Sequence, residues 1–338
     1  CMVSETWPIV ALEDVANCPY CGEANRTLAY EGIEDWAFGC APGHWRYWDC
    51  GNCKALYLHP RPTVDSIGKA YRSYYTHGDE KVAGLLAGLK QRIRNEFWSL
   101  DMRTSLHPRV GLPSWFRRPI QWLKPFIAEP FGLREMAQLP KGLLVDVGCG
   151  NGDKLRLANQ LGWQAQGIEM DAAAVQAAKM QGLHVEQGGY ELLERYRGQV
   201  DCVVCSHVLE HVHQPMNLLR MLLASLKPQG VLLLSAPNAS SGLRVHYGGN
   251  WRGLEAPRHL AIPDAVWLTE WLRAEGLCCT QIPSQTLETA IESERIHRRA
   301  LQISFDDVRT AKAFLKGAPA LSASQQDIVQ LVCVRSQS

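Results

Sequence analysis

From Lys141 onward the chain alternates short apolar runs with stretches of helical period. Leu143-Leu144-Val145-Asp146-Val147 is too short for a helix and is closed by Gly148, so it predicts a buried parallel strand. Leu155, Ala158 and Leu161 then recur at helical spacing until Gly162 stops the helix. Ala165 to Ile168 predicts a second strand, ending in Glu169-Met170-Asp171, with Asp171 placed to cap a helix over Ala172 to Gln181. A strand near Leu183 to Glu186 and a helix near Glu191 to Tyr196 follow. Next come a strand over Val200 to Cys205, a helix over Pro215 to Leu226 and a strand over Val231 to Ser235. Two further strands, at 277–284 and 328–334, are separated by a polar, helix-forming insertion at about 285–327. This alternation predicts an α/β, Rossmann-like doubly wound sheet with its ligand at the strand carboxyl ends.

The N-terminal part has a different pattern. Trp36, Phe38, Trp45, Tyr47 and Trp48 suggest short β-strands whose aromatics cover a module too small to bury a core unaided. Around them stand two C-x-x-C pairs, Cys18 with Cys21 and Cys50 with Cys53. Two such knuckles close a tetrahedral zinc site of the zinc-ribbon kind. Four thiolates leave no open position for water or substrate, which makes the metal a structural staple. Cys40 and His44 lie between the knuckles as substitute ligands. The Pro60-Arg61-Pro62-Thr63 turn ends this module, and Ile67 to Tyr75 reads as a short helix. From Val82 to Pro140 the pattern is helical, broken by five prolines. Arg92, Arg94, Arg103, Arg117, Arg118 and Lys124 alternate there with Phe97, Trp98, Trp115, Phe116, Trp122 and Phe126. The segment is either a substrate cap, a peripheral membrane contact through 92–126, or a linker packing its aromatics on the next domain. The expected domains are 1–62, zinc-binding; 63–140, helical linker or cap; and 141–338, the α/β domain.

Composition narrows the partners. Lys plus Arg number 35 against 34 for Asp plus Glu, a net charge of +1 that argues against general attraction to nucleic acid or anionic lipid. No apolar run reaches the ~18 residues of a membrane span, and no signal-peptide pattern opens the chain, so a cytoplasmic location is expected. Twelve cysteines do not imply a disulfide framework: four are grouped as metal ligands, and Cys149, Cys202, Cys205 and Cys333 sit in or beside apolar runs as small core residues.

Gly148-x-Gly150-x-Gly152 lacks the glycine at 153 that a dinucleotide fingerprint requires, since Asp153 stands there. Glu169, at the end of the second strand, stands where a carboxylate accepts hydrogen bonds from ribose hydroxyls. With these motifs residues 141 to 280 and the final strand resemble the class I S-adenosylmethionine-dependent methyltransferases. Val145 to Gly152 is similar to that family's first motif, Ser206-His207-Val208-Leu209-Glu210-His211-Val212 to its motif after the fourth strand, and Leu226 to Gly230 to its turn before the fifth. The resemblance implies that the Gly148, Cys149, Gly150 and Gly152 backbone lies against the methionine part of S-adenosylmethionine. By the same resemblance Asp146 orients the loop, Glu169 holds the ribose, Met170 packs on adenine, and Ser206 and His207 border the cofactor. It also implies an antiparallel addition to the sheet by the terminal strands. Gly188-Gly189-Tyr190 departs from the acidic residue many relatives carry after the third strand. The whole layout, with Pro257-Arg258-His259-Leu260, is similar to bacterial methyltransferases with a zinc-binding head that accompany saccharide or secondary-metabolite pathways.

A hydroxyl acceptor needs a base, so His207, His259 and His211 are the catalytic candidates, with His246 and Tyr247 further out on the 237–262 loop. Arg244, Arg252 and Arg258 are candidates for an anionic substrate. His207-x-x-Glu210-His211 also matches an inverted zinc-peptidase pattern, but a strand ending before His207 and Pro215 soon after leave little room for its helix. In ubiquinone-pathway O-methyltransferases a similar E-x-x-E-H segment holds a divalent cation, His207 here replacing the first Glu. The expectation is a two-cofactor enzyme, with zinc and S-adenosylmethionine, that O-methylates a small-molecule or saccharide-like acceptor in a biosynthetic pathway. An rRNA or tRNA methyltransferase and a non-catalytic cofactor-binding protein are the alternatives.

Overall fold

Cysteine knuckles and prolines lie between the N-terminal strands. A computed structural model describes residues 7–71, 85–113, 115, 129–284, 287–301, 309–312 and 325–335. In it β1 (Leu12–Glu13), β2 (Arg26–Ile33), β3 (Trp45–Cys50), β4 (Leu56–Leu58) and β5 (Arg61–Pro62) precede the helical segment. β2, β3 and β4 form an antiparallel meander, and β1 pairs with β5. Trp36 and Phe38, expected on strands, lie instead in a turn between β2 and β3.

The helical segment holds α1 (Leu85–Met102) and α2 (Leu133–Gln138). α1 buries Phe97 and Trp98 among Leu144, Cys202 and Leu233 of the large sheet. Its buried Glu96 accepts the Gly111 N–H at 2.6 Å, and Asn95 donates to the Pro108 carbonyl at 2.8 Å, which ties the proline-containing strap after it to the helix. Phe97 and Trp98 thus pack on the domain and are not available to a membrane surface. Tyr74, Tyr75, Phe116, Arg117, Arg118, Trp122, Lys124 and Phe126 lie outside the described residues. Among those described, no helix is long and apolar enough to cross a membrane.

The second half supplies β6 (Leu143–Val147), α3 (Asp153–Gln160), β7 (Gln164–Glu169), α4 (Ala172–Met180), β8 (Val185–Gln187), β9 (Val200–Ser206), α5 (Pro215–Ser225) and β10 (Leu226–Pro237). After these come α6 (Gly242–Tyr247), β11 (Ala261–Ile262), α7 (Ala265–Ala274), β12 (Leu277–Gln281), α8 (Leu287–Leu301) and β13 (Ile328–Arg335). Seven strands form one α/β sheet in the order β12-β13-β10-β9-β6-β7-β8. β13 runs antiparallel to both its neighbours, so edge strand β12 points the same way as the parallel five. Alternate residues go to opposite faces: Val145, Val147, Val203 and Cys205 to one core, Leu144, Cys202 and Val204 to the other. With both faces covered, strands such as β9 read as nearly continuous apolar runs. Strand order reverses between β6 and β9, which makes their carboxyl ends the switch point where such folds bind ligands.

Two expectations change. Cys333 is not simply a small core residue: it is disulfide-bonded to Cys279, its direct partner across the β12–β13 ladder. Nor is the N-terminal module self-contained. Its four-stranded sheet has the order β11-β4-β3-β2, and β11 comes from residues 261–262. A third core joins Trp7, Ile33, Tyr47, Leu56 and Leu58 to Leu243, Trp251, Leu254, Leu260 and Ala290. The loop expected to face substrate therefore packs largely on the N-terminal sheet.

At its centre Arg258, with 0% exposure, pairs with Asp35. Its guanidinium reaches both Asp35 oxygens and donates to the Ala70 carbonyl at 2.9 Å, with the Phe38 ring 4.4 Å away. Burial opposes the charge on Asp35, but the paired guanidinium holds its carboxyl below the ordinary carboxylate value. Removing one member of such a pair strands the other charge without water. Arg258→Met is expected to lower stability by about 3–5 kcal/mol in denaturant titration, and Asp35→Asn/Arg258→Met to lose less than the single variant. A smaller loss in the single variant than in the double would contradict this.

Candidate active site

The loop after β6 is shaped by three glycines with positive φ: Gly148 (70°), Gly150 (54°) and Gly152 (81°). A Cβ on Gly148 would fall 2.4 Å from Val208 Cγ2, and one on Gly152 2.4 Å from Leu183 Cδ1; the Cβ direction of Gly150 is open. Backbone alone therefore forms this wall, open to a ligand above Gly150. Glu169 braces it from the end of β7: Oε2 accepts the Gly150 N–H at 2.8 Å and Oε1 the Asp171 N–H at 2.9 Å. Next to it Met170 is 74% exposed, an uncovered apolar side chain at the rim of the cradle. Asp171 caps α4 by accepting the Ala174 N–H at 2.7 Å.

Asp146 is buried in β6 beneath the loop. Burial, with help from Glu169 and against Lys154, pushes its carboxyl up to about 6. Cys149 is also buried, and burial pushes its thiol up, so it stays protonated and fills the space above Gly167. Ser206 ends β9 and pairs with Ser235 of β10.

Beyond Ser206 the chain makes a turn over residues 209–211 and not a helix, which removes the geometry of the peptidase pattern. His207 opens this turn at φ 56°, a left-handed conformation uncommon outside glycine. Its side chain is 47% exposed, and Nδ1 lies 3.2 Å from Glu210 Oε1. A carboxylate accepts, so Nδ1 carries the proton and Nε2 keeps its lone pair in the neutral ring. Desolvation works against the imidazolium, but Glu210 outweighs it and holds the His207 pKa above its ordinary value. Glu210 is fully buried, and its Oε2 has no hydrogen-bond partner among the described residues.

His211 and His259 stand next to this pair, their rings 4.7 Å apart. His211 Nδ1 lies 3.1 Å from the Arg258 carbonyl and 3.0 Å from the Tyr71 hydroxyl. His259 Nδ1 donates to the Gly253 carbonyl at 2.6 Å, and burial pushes its imidazole down to about 4, so it is neutral. Glu210, His211 and His259 can each offer a ligand atom within 4.8 Å of the others. The Leu260 N–H donates to the Glu210 carbonyl at 2.7 Å and joins the two loops.

The arginines expected to meet an anionic substrate are committed inside the protein. Arg244 pairs with Asp49 and Arg258 with Asp35, while Arg252 pairs with Glu255. Each balances a carboxylate that composition cannot match to it. His246 is exposed and Tyr247 buried on α6. Tyr71, the last residue of a short 3-10 helix, is a cleft residue that the pattern does not single out.

Cys18, Cys21, Cys50 and Cys53 converge at the base of the N-terminal sheet with sulfurs within 4.8 Å of one another. Cys40 is not among them: its thiol faces Asp35 and the Ala70 carbonyl. His44 lies 3.7 Å from Glu34 at the surface. Tyr20, between the first two cysteines, donates to the Ala261 carbonyl at 3.0 Å, so the cluster is tied to β11.

Comparison with known proteins points to the same region of the chain. Residues 122–282 match the family model described as a methyltransferase domain. The ubiquinone biosynthesis O-methyltransferase of Erwinia tasmaniensis is 32% identical over 123 residues, which is 33% of this chain and 51% of that protein. Its namesake from Bordetella avium is 31% identical over 147 residues, covering 41% of this chain and 60% of the relative. The chain thus spans about half the length of the curated relatives it matches. A SAM dependent methyltransferase from Archaeoglobus fulgidus aligns at a TM-score of 0.40 and 17% identity, covering 63% of this chain and 91% of that one.

Proposed function

We propose that this chain is an S-adenosylmethionine-dependent methyltransferase that O-methylates a small-molecule or saccharide-like acceptor in a biosynthetic pathway. The observation that carries this reading is one juxtaposition at the switch point of the sheet. A glycine cradle braced by Glu169 lies beside a Glu210–His207 pair whose free ring nitrogen is open to solvent. The O-methyltransferase relatives favour oxygen as the acceptor atom.

Bound S-adenosylmethionine supplies an electrophilic methyl on a sulfonium. In this reading Glu169 accepts hydrogen bonds from the ribose hydroxyls, and the backbone of Gly148 to Gly152 lies against the methionine part. Met170 covers one face of the adenine, and Asp146 stiffens the loop from below. His207 takes the acceptor proton at Nε2 while Glu210 stabilises the imidazolium through Nδ1, which turns a weak hydroxyl nucleophile into a competent one. His211, His259 and Tyr71 line the acceptor side. The four N-terminal cysteines hold structural zinc, whose tetrahedral site a set of four thiolates satisfies without an open position. A second reading, favoured by the partnerless Oε2 of Glu210, places a divalent cation between Glu210, His211 and His259.

Calorimetry is expected to detect binding of both S-adenosylmethionine and S-adenosylhomocysteine, and Glu169→Ala to weaken both roughly ten- to a hundredfold, the worth of charged hydrogen bonds. Absence of heat with either ligand would end the proposal. Turnover measured over a panel of phenols and sugars should fall by roughly 10²–10⁴ in kcat in His207→Gln with cofactor affinity unchanged. Because Glu210 raises the His207 pKa, wild-type kcat should drop as pH falls through a value above the ordinary 6.5. In Glu210→Gln that acid limb should move down; a limb that stays in place would exclude His207 as the base. Metal analysis should find zinc lost in Cys50→Ser, with thermal stability falling alongside. A second ion removable by mild chelation would support the cation reading.

A further inference from the structure

Asp35 lies on the N-terminal module and touches none of the groups that border the cofactor cradle, yet the chain of contacts that begins at its carboxylate ends on the histidines of the cleft. The carboxylate is a fixed point. It accepts backbone N–H groups from Phe38 (3.1 Å), Cys40 (3.0 Å) and Ala41 (3.0 Å) while pairing with Arg258. The Arg258 side chain has no access to water, so its position is dictated by that pair, by the Ala70 carbonyl and by Glu255 on its own turn, whose Oε1 lies 3.2 Å from Nε. The backbone of the same residue faces the other way, and its carbonyl lies 3.1 Å from His211 Nδ1. A carbonyl can only accept, so a hydrogen bond here needs the His211 proton on Nδ1, where the Tyr71 hydroxyl, 3.0 Å from the same nitrogen, then also accepts. Two residues on, the Leu260 and Ala261 N–H groups both reach the Glu210 carbonyl, at 2.7 and 3.3 Å, and Glu210 orients His207. The Tyr47 hydroxyl holds the same turn from the N-terminal side, between the carbonyls of Leu254 (2.5 Å) and His259 (2.8 Å).

We propose that Asp35 is a positioning residue for methyl transfer: through Arg258 it fixes the turn whose backbone sets the His211 tautomer and the placement of Glu210. The inference rests on the proposed function. The physical argument is that without the Asp35 charge Arg258 keeps only Glu255, on its own turn, as a charged partner, so the buried guanidinium loses its ionic anchor to the N-terminal module and is driven to move toward water. Arg258 can do so only by shifting residues 254–260, which withdraws the carbonyl from His211 and the N–H groups from Glu210. The N-terminal module thereby becomes part of the active-site scaffold and not an appended binding unit.

The test uses the whole zinc-loaded chain. Asp35→Asn keeps the acceptor shape and removes the charge. Three quantities are measured: the ring nitrogen spectrum of the histidines by long-range ¹H–¹⁵N NMR, zinc content with S-adenosylmethionine affinity, and turnover on whichever panel phenol or sugar the wild type methylates. The expected result is a His211 ring converted from the Nδ1–H form to a mixture. kcat should fall at least tenfold, while cofactor affinity, zinc content and KM for the cofactor stay within twofold. An unchanged ring spectrum or an unchanged kcat overturns the proposal. Loss of zinc or of cofactor affinity in step with kcat also overturns it, because Asp35 would then serve the fold alone. Tyr47→Phe removes the other grip on the turn while keeping the ring, and it carries the same test with the same expected results if Asp35→Asn does not fold. If the wild type methylates nothing in the panel, methyl transfer itself falls, and the ring spectrum still decides whether Asp35 sets His211.

Discussion

A guanidinium shut off from water is stable only where a carboxylate and further acceptors surround it, and the Arg258–Asp35 pair imposes that condition across more than two hundred residues of chain. Arg258 belongs to the loop that follows β10, Asp35 to the turn that follows β2. Their pairing makes the loop take the path it does, with Tyr47, Leu254 and Leu260 packed in one core and β11 laid along β4. Without the pair, the loop has polar backbone and a charge to hydrate, and nothing else in it is long enough to form a ladder of its own. The fold of the N-terminal module and the shape of the cleft are thus one problem with one solution.

The cleft itself divides its electrostatics between two walls. On the cradle side the ionisable groups are a carboxylate braced by backbone N–H groups and a buried acid pushed up to about 6, both compatible with a ligand that brings positive charge. On the acceptor side three imidazoles differ in environment: His207 half-exposed and raised by Glu210, His211 held between a tyrosine hydroxyl and a carbonyl, His259 buried and neutral. Groups of one type driven apart in this way take different roles, which is why the most accessible of the three is the proposed base and the others its walls.

Much of the architecture is legible in the sequence because burial leaves a regular trace there. β6, β9 and β10 are covered on both faces and show as nearly continuous apolar runs, and the helices between them keep a clear period, with Asp171 capping α4. The cysteine pairs are legible because ligand spacing is rigid. β11 is not, since two residues have no period and their partner strand is set by tertiary packing alone. The Cys279–Cys333 pairing depends on strand register, which spacing does not carry. Arg244 and Arg258 look in sequence like ligands for an anion, because nothing local distinguishes an arginine bound for solvent from one whose carboxylate lies on another element. The helical linker departs from its pattern in one respect: its prolines signal breaks, but the strap that follows α1 is irregular and held by buried Asn95 and Glu96.

β11 also bears on how the chain can be divided. Leu56, Tyr57 and Leu58 of β4 are wholly buried, and the edge of that strand is paired by Ala261 and Ile262, with the Leu58 N–H donating to the Leu260 carbonyl. A fragment ending near residue 62 would keep all four cysteines of the proposed zinc site, yet present an apolar, hydrogen-bond-hungry strand edge to any neighbour. Cysteine spacing marks where the proposed metal-binding unit begins and ends, whereas the sheet marks where a stable unit does, and here the two limits do not coincide.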